Sequence, residues 1–220
     1  MTLEISFSTI GKSIKYIELI TAVLGSIYYS KYRHTFLKYF LLILWYTTIN
    51  GFLCRYLHEN YILRNNSLLY NLYHLVNFTF LLILFKKYIK SSAYKKWISI
   101  FIILYVFSFF FNLIWQNYLT EIQTVPFILG AVFVIISITF YFLEILNTTK
   151  VLYVSKNLLF WISIGLLLYF VGKIPTRIIR NYWEDISYYK DILIAEYILS
   201  IVMNICFIIG FICSKKDKQY

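Results

Sequence analysis

The sequence has little cysteine and lacks the common catalytic motifs. Its three cysteines, Cys54, Cys206 and Cys213, show none of the close paired spacing of zinc ligands or of a small disulfide framework. The patterns HExxH and GxSxG, which mark zinc proteases and serine hydrolases, are missing. These absences argue against a metal centre, a disulfide scaffold and the usual hydrolases. We therefore predict no catalytic residue, no metal and no cofactor.

The chain also has few charged residues and many hydrophobic ones. Charged residues make up 14% of the chain and hydrophobic residues 60%, with a mean hydropathy of +0.70. Soluble domains are usually about 45–50% apolar, so this composition excludes an ordinary soluble domain. The first residues lack the basic and apolar regions of a signal peptide, and we expect residues 1–9 to remain as a short polar lead.

Seven apolar stretches fill the chain, and each is close to the roughly 20 residues that a helix needs to cross a bilayer. The fold class predicted is all-α: a single domain over residues 1–220, a polytopic bundle of seven transmembrane helices in the cell membrane. The connections are too short to hold a soluble module. The predicted spans are residues 11–29, 36–54, 68–85, 97–116, 122–146, 157–174 and 192–213.

The basic residues are distributed unequally between the two predicted sides of the membrane. The side that carries the tail has 13 lysines and arginines, and the other side has eight. Because the cytoplasmic side normally holds the excess, the N-terminus is predicted outside and the C-terminus in the cytoplasm. The positive charge is thereby assigned to membrane topology and not to nucleic-acid binding.

Two spans contain residues that disturb a simple membrane helix. The first span contains Lys15 and Glu18, which are three residues apart and can pair on one helix face. In the sixth, Pro175 predicts a helix end near Ile174, because a residue before proline is disfavoured in the helical region. Residues 175–191 are then predicted to form a short helix lying in the membrane interface.

Polar side chains within the spans are predicted to gather toward the non-cytoplasmic side, above mostly apolar inner halves. Polar groups are costly in hydrocarbon, so we interpret the cluster as a pocket for a small polar or zwitterionic ligand, or for protons through an imidazole. For the amides, hydrogen bonding between helices is the alternative, and Arg177 could equally be solvated. The candidate ligand-binding residues are Glu18, Asn50, Asn71, His74, Asn77, Asn112, Gln116, Lys173, Arg177 and Glu196.

The segments YNLYHLVNFTFLLILF (Tyr70–Phe85) and LFWISIGLLLYFVGK (Leu159–Lys173) carry a resemblance. Together with the hydropathy plan, they resemble small seven-helix bacterial integral membrane proteins of unassigned function. Some of those proteins are associated with two-component sensor kinases. The resemblance implies a sensory input subunit in a bacterial inner membrane.

These observations favour a receptor-like or sensory module that signals to a cytoplasmic partner. The partner would contact the third connection, Lys86–Lys96, or the tail, Ser214–Tyr220, since no output domain is predicted. A transporter or channel for a small solute is the first alternative, although it would need polar groups that continue to the inner face. An intramembrane enzyme acting on lipid or peptide is the third reading, and it lacks an evident nucleophile. Besides the lipid bilayer, no nucleic-acid partner is expected.

Overall fold

The computed structural model describes residues 2–60, 65–182 and 189–216, and this part of the chain is almost entirely helical. Three short 3₁₀ segments, Tyr29–Lys31, Asn112–Ile114 and Thr149–Lys156, lie between the helices. The all-α class is confirmed. The α-helices within the described ranges are α1 (Thr2–Ile27), α2 (Lys38–Glu59), α3 (Ser67–Tyr88), α4 (Ser92–Phe111), α5 (Thr124–Leu146), α6 (Leu158–Tyr182) and α7 (Tyr189–Cys213).

Six helices, α2 to α7, are long and apolar enough to cross a membrane, if α4 is extended through its following 3₁₀ turn to Ile114. This composition is that of a multi-pass membrane protein. The first helix is 26 residues long but does not belong to the six. Lys15 and Glu18 interrupt its apolar sequence, and a charge near the centre of a span costs about 2.5–3.5 kcal/mol on insertion scales.

The chain forms two compact units. The first contains Met1–Thr48 and Ser155–Tyr220, and the second contains Ile49–Val154. The first unit therefore consists of α1, the beginning of α2, α6 and α7. The second consists of the rest of α2 with α3, α4 and α5.

In the first unit, α6 and α7 lie side by side at a spacing that glycine makes possible. A Cβ added to Gly172 would lie 2.5 Å from Leu199 Cδ2, and one added to Gly165 would lie 3.0 Å from the carbonyl oxygen of Met203. Small residues let membrane helices approach closely, where van der Waals packing replaces the missing hydrophobic driving force. The two helices run antiparallel, since the later glycine of α6, Gly172, meets the earlier residue of α7, Leu199.

The first helix packs along α7, and the two end on the same side. Lys31 Nζ, just after α1, donates hydrogen bonds to the carbonyl oxygens of Phe211 at 2.9 Å and Ile212 at 2.8 Å. These carbonyls belong to the last turn of α7, which has no helical donors of its own. Desolvation lowers the pKa of Lys31 from its ordinary value, against the opposing influence of Cys213.

In the second unit, aromatic rings fill the space among α3, α4 and α5. Phe78 lies 5.4 Å from the rings of both Tyr105 and Phe127, edge to face in each case. Gly130 admits this cluster, because an added Cβ would lie 2.8 Å from Phe78. The hydroxyl of Tyr105 donates to the carbonyl oxygen of His74 at 2.9 Å, which satisfies a polar group in this apolar core.

Residues 2–9, which belong to the predicted polar lead, are helical and form the beginning of α1. One boundary prediction was wrong. The sixth helix continues through Pro175 to Tyr182, where an end near Ile174 had been predicted. Proline is tolerated inside membrane helices because neighbouring groups satisfy the backbone positions that it frees. The predicted interfacial helix of residues 175–191 is thus in part the end of α6, and residues 183–188 lie outside the described residues.

The third connection is also shorter than predicted. Its lysines mostly belong to helices: Lys86 and Lys87 are in the last turn of α3, and Lys95 and Lys96 follow the start of α4 at Ser92. Only residues 89–91 join the two helices. A partner contact here would therefore involve helix ends more than a loop.

Candidate functional site

An ion pair joins α6 and α7 within the first unit. Lys173 Nζ lies 2.6 Å from Glu196 Oε2, and the two side chains are only 14% and 8% exposed. At the adjacent Gly172, an added Cβ would lie 2.5 Å from Leu199 Cδ2 of α7, so the two helices are close beside the ion pair. Lys173 also lies 5.9 Å from the centre of the Tyr169 ring. The two residues, 23 positions apart in the sequence, form the most buried of the described ion pairs.

A second basic side chain is buried one turn further along α6. Arg177 follows Lys173 by four residues, a spacing that places both on one helix face. Its side chain is 4% exposed. The same face of α6 therefore carries two cations near the Glu196 carboxylate, whereas Asp191 at the start of α7 is exposed. We call Lys173, Arg177 and Glu196 the charged cluster.

Glu18, the fourth charged candidate, has its own partner. Its carboxylate accepts hydrogen bonds from Lys15 Nζ at 2.9 and 3.3 Å, as the spacing along α1 predicted. Gly25 of α1 packs against Phe211 of α7. Glu18 is seven residues before Gly25, whereas Glu196 is fifteen before Phe211. At 1.5 Å per residue, the two carboxylates differ by about 12 Å in height along the helices.

In the second unit, Asn71 of α3 binds the connection between α4 and α5. Its Nδ2 donates to the carbonyl oxygens of Tyr118 and Glu121 at 2.9 and 2.8 Å, and its Oδ1 accepts from Gln123 N at 3.0 Å. The side chain is 2% exposed. Every polar atom of its amide is used by main-chain groups of that connection, so Asn71 acts as a structural clasp.

Asn112 and Gln116 also bind within this connection. Asn112 Nδ2 donates to Gln116 Oε1 at 2.8 Å, and the same oxygen accepts from Thr124 N at 3.4 Å. Thr124 is the first residue of α5, where backbone amides lack helical acceptors. Gln116 therefore caps the start of α5, and Asn112 fixes the Gln116 side chain.

The remaining candidates of the second unit have other neighbours. His74 is half-buried among aromatic rings, with Phe127 at 5.0 Å and Tyr73 at 5.4 Å between ring centres. Asn50 is buried in α2, and Cys54 Sγ lies 3.9 Å from its Oδ1. Asn77 is half-exposed on α3. The ten predicted residues thus fall into two separate sets, four in the first unit and six in the second.

Sequence reasoning left Gln123 out of the candidate set, although its position at the start of the fifth span was visible. Its side chain is 2% exposed, and neither its Oε1 nor its Nε2 has a hydrogen-bond partner in the part of the chain that the structure describes. A buried polar group without a partner costs roughly 1–3 kcal/mol. Among the amides of the second unit, Gln123 is therefore the exception.

The half-buried carboxylate of Glu144, near the end of α5, lies at the start of α4, where it accepts hydrogen bonds from Lys90 N at 2.8 and 3.0 Å and from Ser91 N at 2.6 Å. A carboxylate at a helix N-terminus satisfies free amides and interacts favourably with the helix dipole. Glu144 thus fastens the short α3–α4 connection to α5.

Comparisons of the chain with protein-family models, curated proteins and solved structures find no match. Within the described residues there is also no group of three or more His, Cys, Asp or Glu side chains that could hold a metal ion. By the geometry of its side chains, the charged cluster is the strongest candidate for a functional site.

Proposed function

We propose that this protein is a receptor-like membrane sensor in which the charged cluster binds a small ligand that carries a carboxylate, an ammonium group or both. The observation that carries the proposal is the buried ion pair between Lys173 and Glu196, which links two membrane-length helices. Ionisable residues inside a membrane segment are candidates for function by default, because placing them there is costly.

The energetics of a buried ion pair support a responsive role. Removing two charges from water costs several kcal/mol per ion, and their attraction repays this cost only in part. Apolar residues of similar size often give equal or greater stability. A zwitterionic ligand offers Glu196 an ammonium and Lys173 a carboxylate, so it can replace their contact without leaving either charge unpaired.

Arg177 favours an anionic group on that ligand. Its buried guanidinium lies one turn from Lys173 and brings a second cation to the same face of α6. Guanidinium groups bind carboxylates and phosphates through two parallel hydrogen bonds. The ligand carboxylate would then lie between Lys173 and Arg177, while its ammonium would contact Glu196.

In the membrane, we propose seven spans with the N-terminus outside and the C-terminus in the cytoplasm. The packing of α1 along α7 supports its insertion despite its charges, because Lys15 and Glu18 neutralise each other. Glu196 is seven residues from the start of α7, about 10 Å along the helix, so the ligand would enter from outside. Labelling of Lys90→Cys and Ser187→Cys in intact cells tests this orientation: Ser187→Cys should react, and reaction of Lys90→Cys would reverse it.

The output would pass along α6 and α7 to the cytoplasmic side. A ligand that separates Lys173 from Glu196 changes the packing of two helices whose glycine contacts leave little space. Interfaces of this kind shift between discrete arrangements. The tail at Ser214–Tyr220 follows α7 directly, and it is the contact that we propose for a signalling partner, with Lys86–Lys96 as the second surface.

The decisive experiment uses the double variant Lys173→Met/Glu196→Leu, which removes both charges together and should remain folded. Protein in lipid nanodiscs would be heated with glycine, betaine, acetate or inorganic phosphate. We expect at least one probe to raise the Tm of the wild type and none to raise that of the double variant. Glu18→Gln is the matched control, because it breaks the other membrane ion pair and should keep the response. Equal shifts in the wild type and the double variant would contradict the proposal.

Transport is the outcome that would replace the receptor proposal. Purified protein in proteoliposomes should not accumulate the radiolabelled form of a probe that raises the Tm. Uptake that disappears in the double variant would show that the same cluster serves a transporter.

A further inference from the structure

The Gln123 side chain occupies a position that the fold does not explain. Its backbone N–H is bound by Asn71, but its carboxamide group is buried without a partner in residues 65–182, the range in which its unit's α3, α4 and α5 lie. The neighbouring amides of Asn71, Asn112 and Gln116 are engaged with main-chain or side-chain groups. Buried polar groups in proteins are almost always paired, so an unpaired one calls for a bound water, ion or ligand.

The surroundings place this carboxamide at the contact between α3 and α5. Gln123 precedes α5, and Phe127, one turn later, packs on the His74 ring at 5.0 Å. Asn71 and His74 are likewise one turn apart on α3. Thr124, the first residue of α5, is 1% exposed, and its backbone N–H is bound by Gln116.

We propose that the Gln123 carboxamide anchors a second small-molecule site, separate from the charged cluster, which takes a neutral primary amide or a protonated carboxylic acid. A carboxamide presents a donor and an acceptor side by side in one plane. A ligand with the complementary pair satisfies both atoms at once. A carboxylate would satisfy only the donor, and an alkylammonium only the acceptor, so a charged ligand leaves one atom unpaired in a buried place.

The ligand reaches this site beneath the connection between α4 and α5. Residues 117–121 of that connection are exposed, and the Asn71 clasp holds them over the start of α5. Release of the Asn71 hydrogen bonds to Tyr118 and Glu121 opens the way to Gln123, while loss of the bond to Gln123 N is not required. Segments with few buried contacts open first, at a small fraction of the global stability.

Side-chain NMR of glutamine tests this site directly. The chain has only three glutamines, Gln116, Gln123 and Gln219, so labelling with side-chain ¹⁵N gives three amide signals, which the variant Gln123→Met assigns. The probe is acetamide, and N,N-dimethylacetamide, which accepts but cannot donate, is the matched control. We expect acetamide to shift the Gln123 signal with a Kd on the order of millimolar, as its four heavy atoms allow, and dimethylacetamide to bind at least tenfold more weakly.

Thermal unfolding shows whether the Gln123 site binds a ligand or is empty or filled by water. Acetamide should raise the Tm of the wild type and of Gln116→Met, and it should leave the Tm of Gln123→Met unchanged. An unchanged Gln123 signal with acetamide would overturn the proposal, and so would an equal effect of the two amides. The charged-cluster probes do not enter this experiment, so either proposal can fail without the other.

Discussion

The charged pair of the first unit and the buried Asn71 of the second are held by different kinds of partner. In the first, Lys173 and Glu196 bind each other across two helices, side chain to side chain. In the second, Asn71 binds main-chain groups of a connection, and Gln116, which accepts from Asn112, also accepts from the N–H of Thr124 at the start of α5. A main-chain partner is fixed by the fold, whereas a side-chain partner can be exchanged for a ligand. A buried polar group is therefore a candidate for ligand binding when its partner is another side chain, or when it has none among the described residues, as at Gln123.

The largest expected effect is the difference in stability between the single variants of Lys173 or Glu196 and the double variant of both. Glu196→Gln or Lys173→Met alone leaves a buried charge without its partner and should lower the free energy of unfolding by about 3–5 kcal/mol. The double variant Lys173→Met/Glu196→Leu should lie within about 1 kcal/mol of the wild type. Unfolding in mixed micelles at increasing denaturant measures both. A double variant as unstable as the single ones would make the pair structural, like the amides.

The structural role of the buried amide of Asn71 is tested by comparing the stability of Asn71→Leu with that of Asn77→Leu. The first change leaves three main-chain groups of the α4–α5 connection without partners, so we expect a loss of about 2–3 kcal/mol in the free energy of unfolding. The second removes a half-exposed amide on the same helix and should cost less than about 0.5 kcal/mol. Equal losses would show that Asn71 is not a clasp.

The glycine contact of the charged unit can be broken and restored. Gly172→Ala places a methyl group against Leu199, and such overpacking costs about 1–3 kcal/mol. Adding Leu199→Ala should recover part of that loss by providing space. Because Gly172 adjoins Lys173, the single variant should also weaken the response to any probe of the charged cluster. Wild-type stability in Gly172→Ala would mean that the close approach of α6 and α7 is not needed.

The smallest effect concerns Glu144, an acidic residue that binds main-chain groups as the amides do. In Glu144→Gln, the side chain keeps an acceptor but loses its charge at the α4 N-terminus, a change worth about 1 kcal/mol. The amides of Lys90 and Ser91 should exchange with deuterium about fivefold faster, while the amides of α6 keep their rates. Unchanged exchange at Lys90 and Ser91 would show that the carboxylate does not fasten this connection.

The sequence was sufficient for features that depend on local pattern. The apolar stretches predicted every helix core, and three-residue spacing predicted the pair between Lys15 and Glu18. Features that depend on tertiary packing were not accessible. No spacing rule relates Lys173 to Glu196, and nothing local shows that Gln123 would be buried without a partner. The Pro175 boundary failed because a local preference against helix gave way to the surroundings of a long membrane helix.

The most direct test follows the α6–α7 contact while the charged cluster is occupied. Trp161 of α6 lies against Gly210 of α7, far from Lys173, and its indole donates to the carbonyl oxygen of Ser155 at 2.8 Å. The five tryptophans can be replaced by 5-fluorotryptophan, and Trp161→Phe assigns the relevant ¹⁹F signal. We predict that a probe that raises the Tm moves this signal in the wild type and in Glu18→Gln, and leaves it in place in Lys173→Met/Glu196→Leu. A signal that stays fixed in the wild type, or moves equally in the double variant, would contradict a sensor built on the Lys173–Glu196 pair.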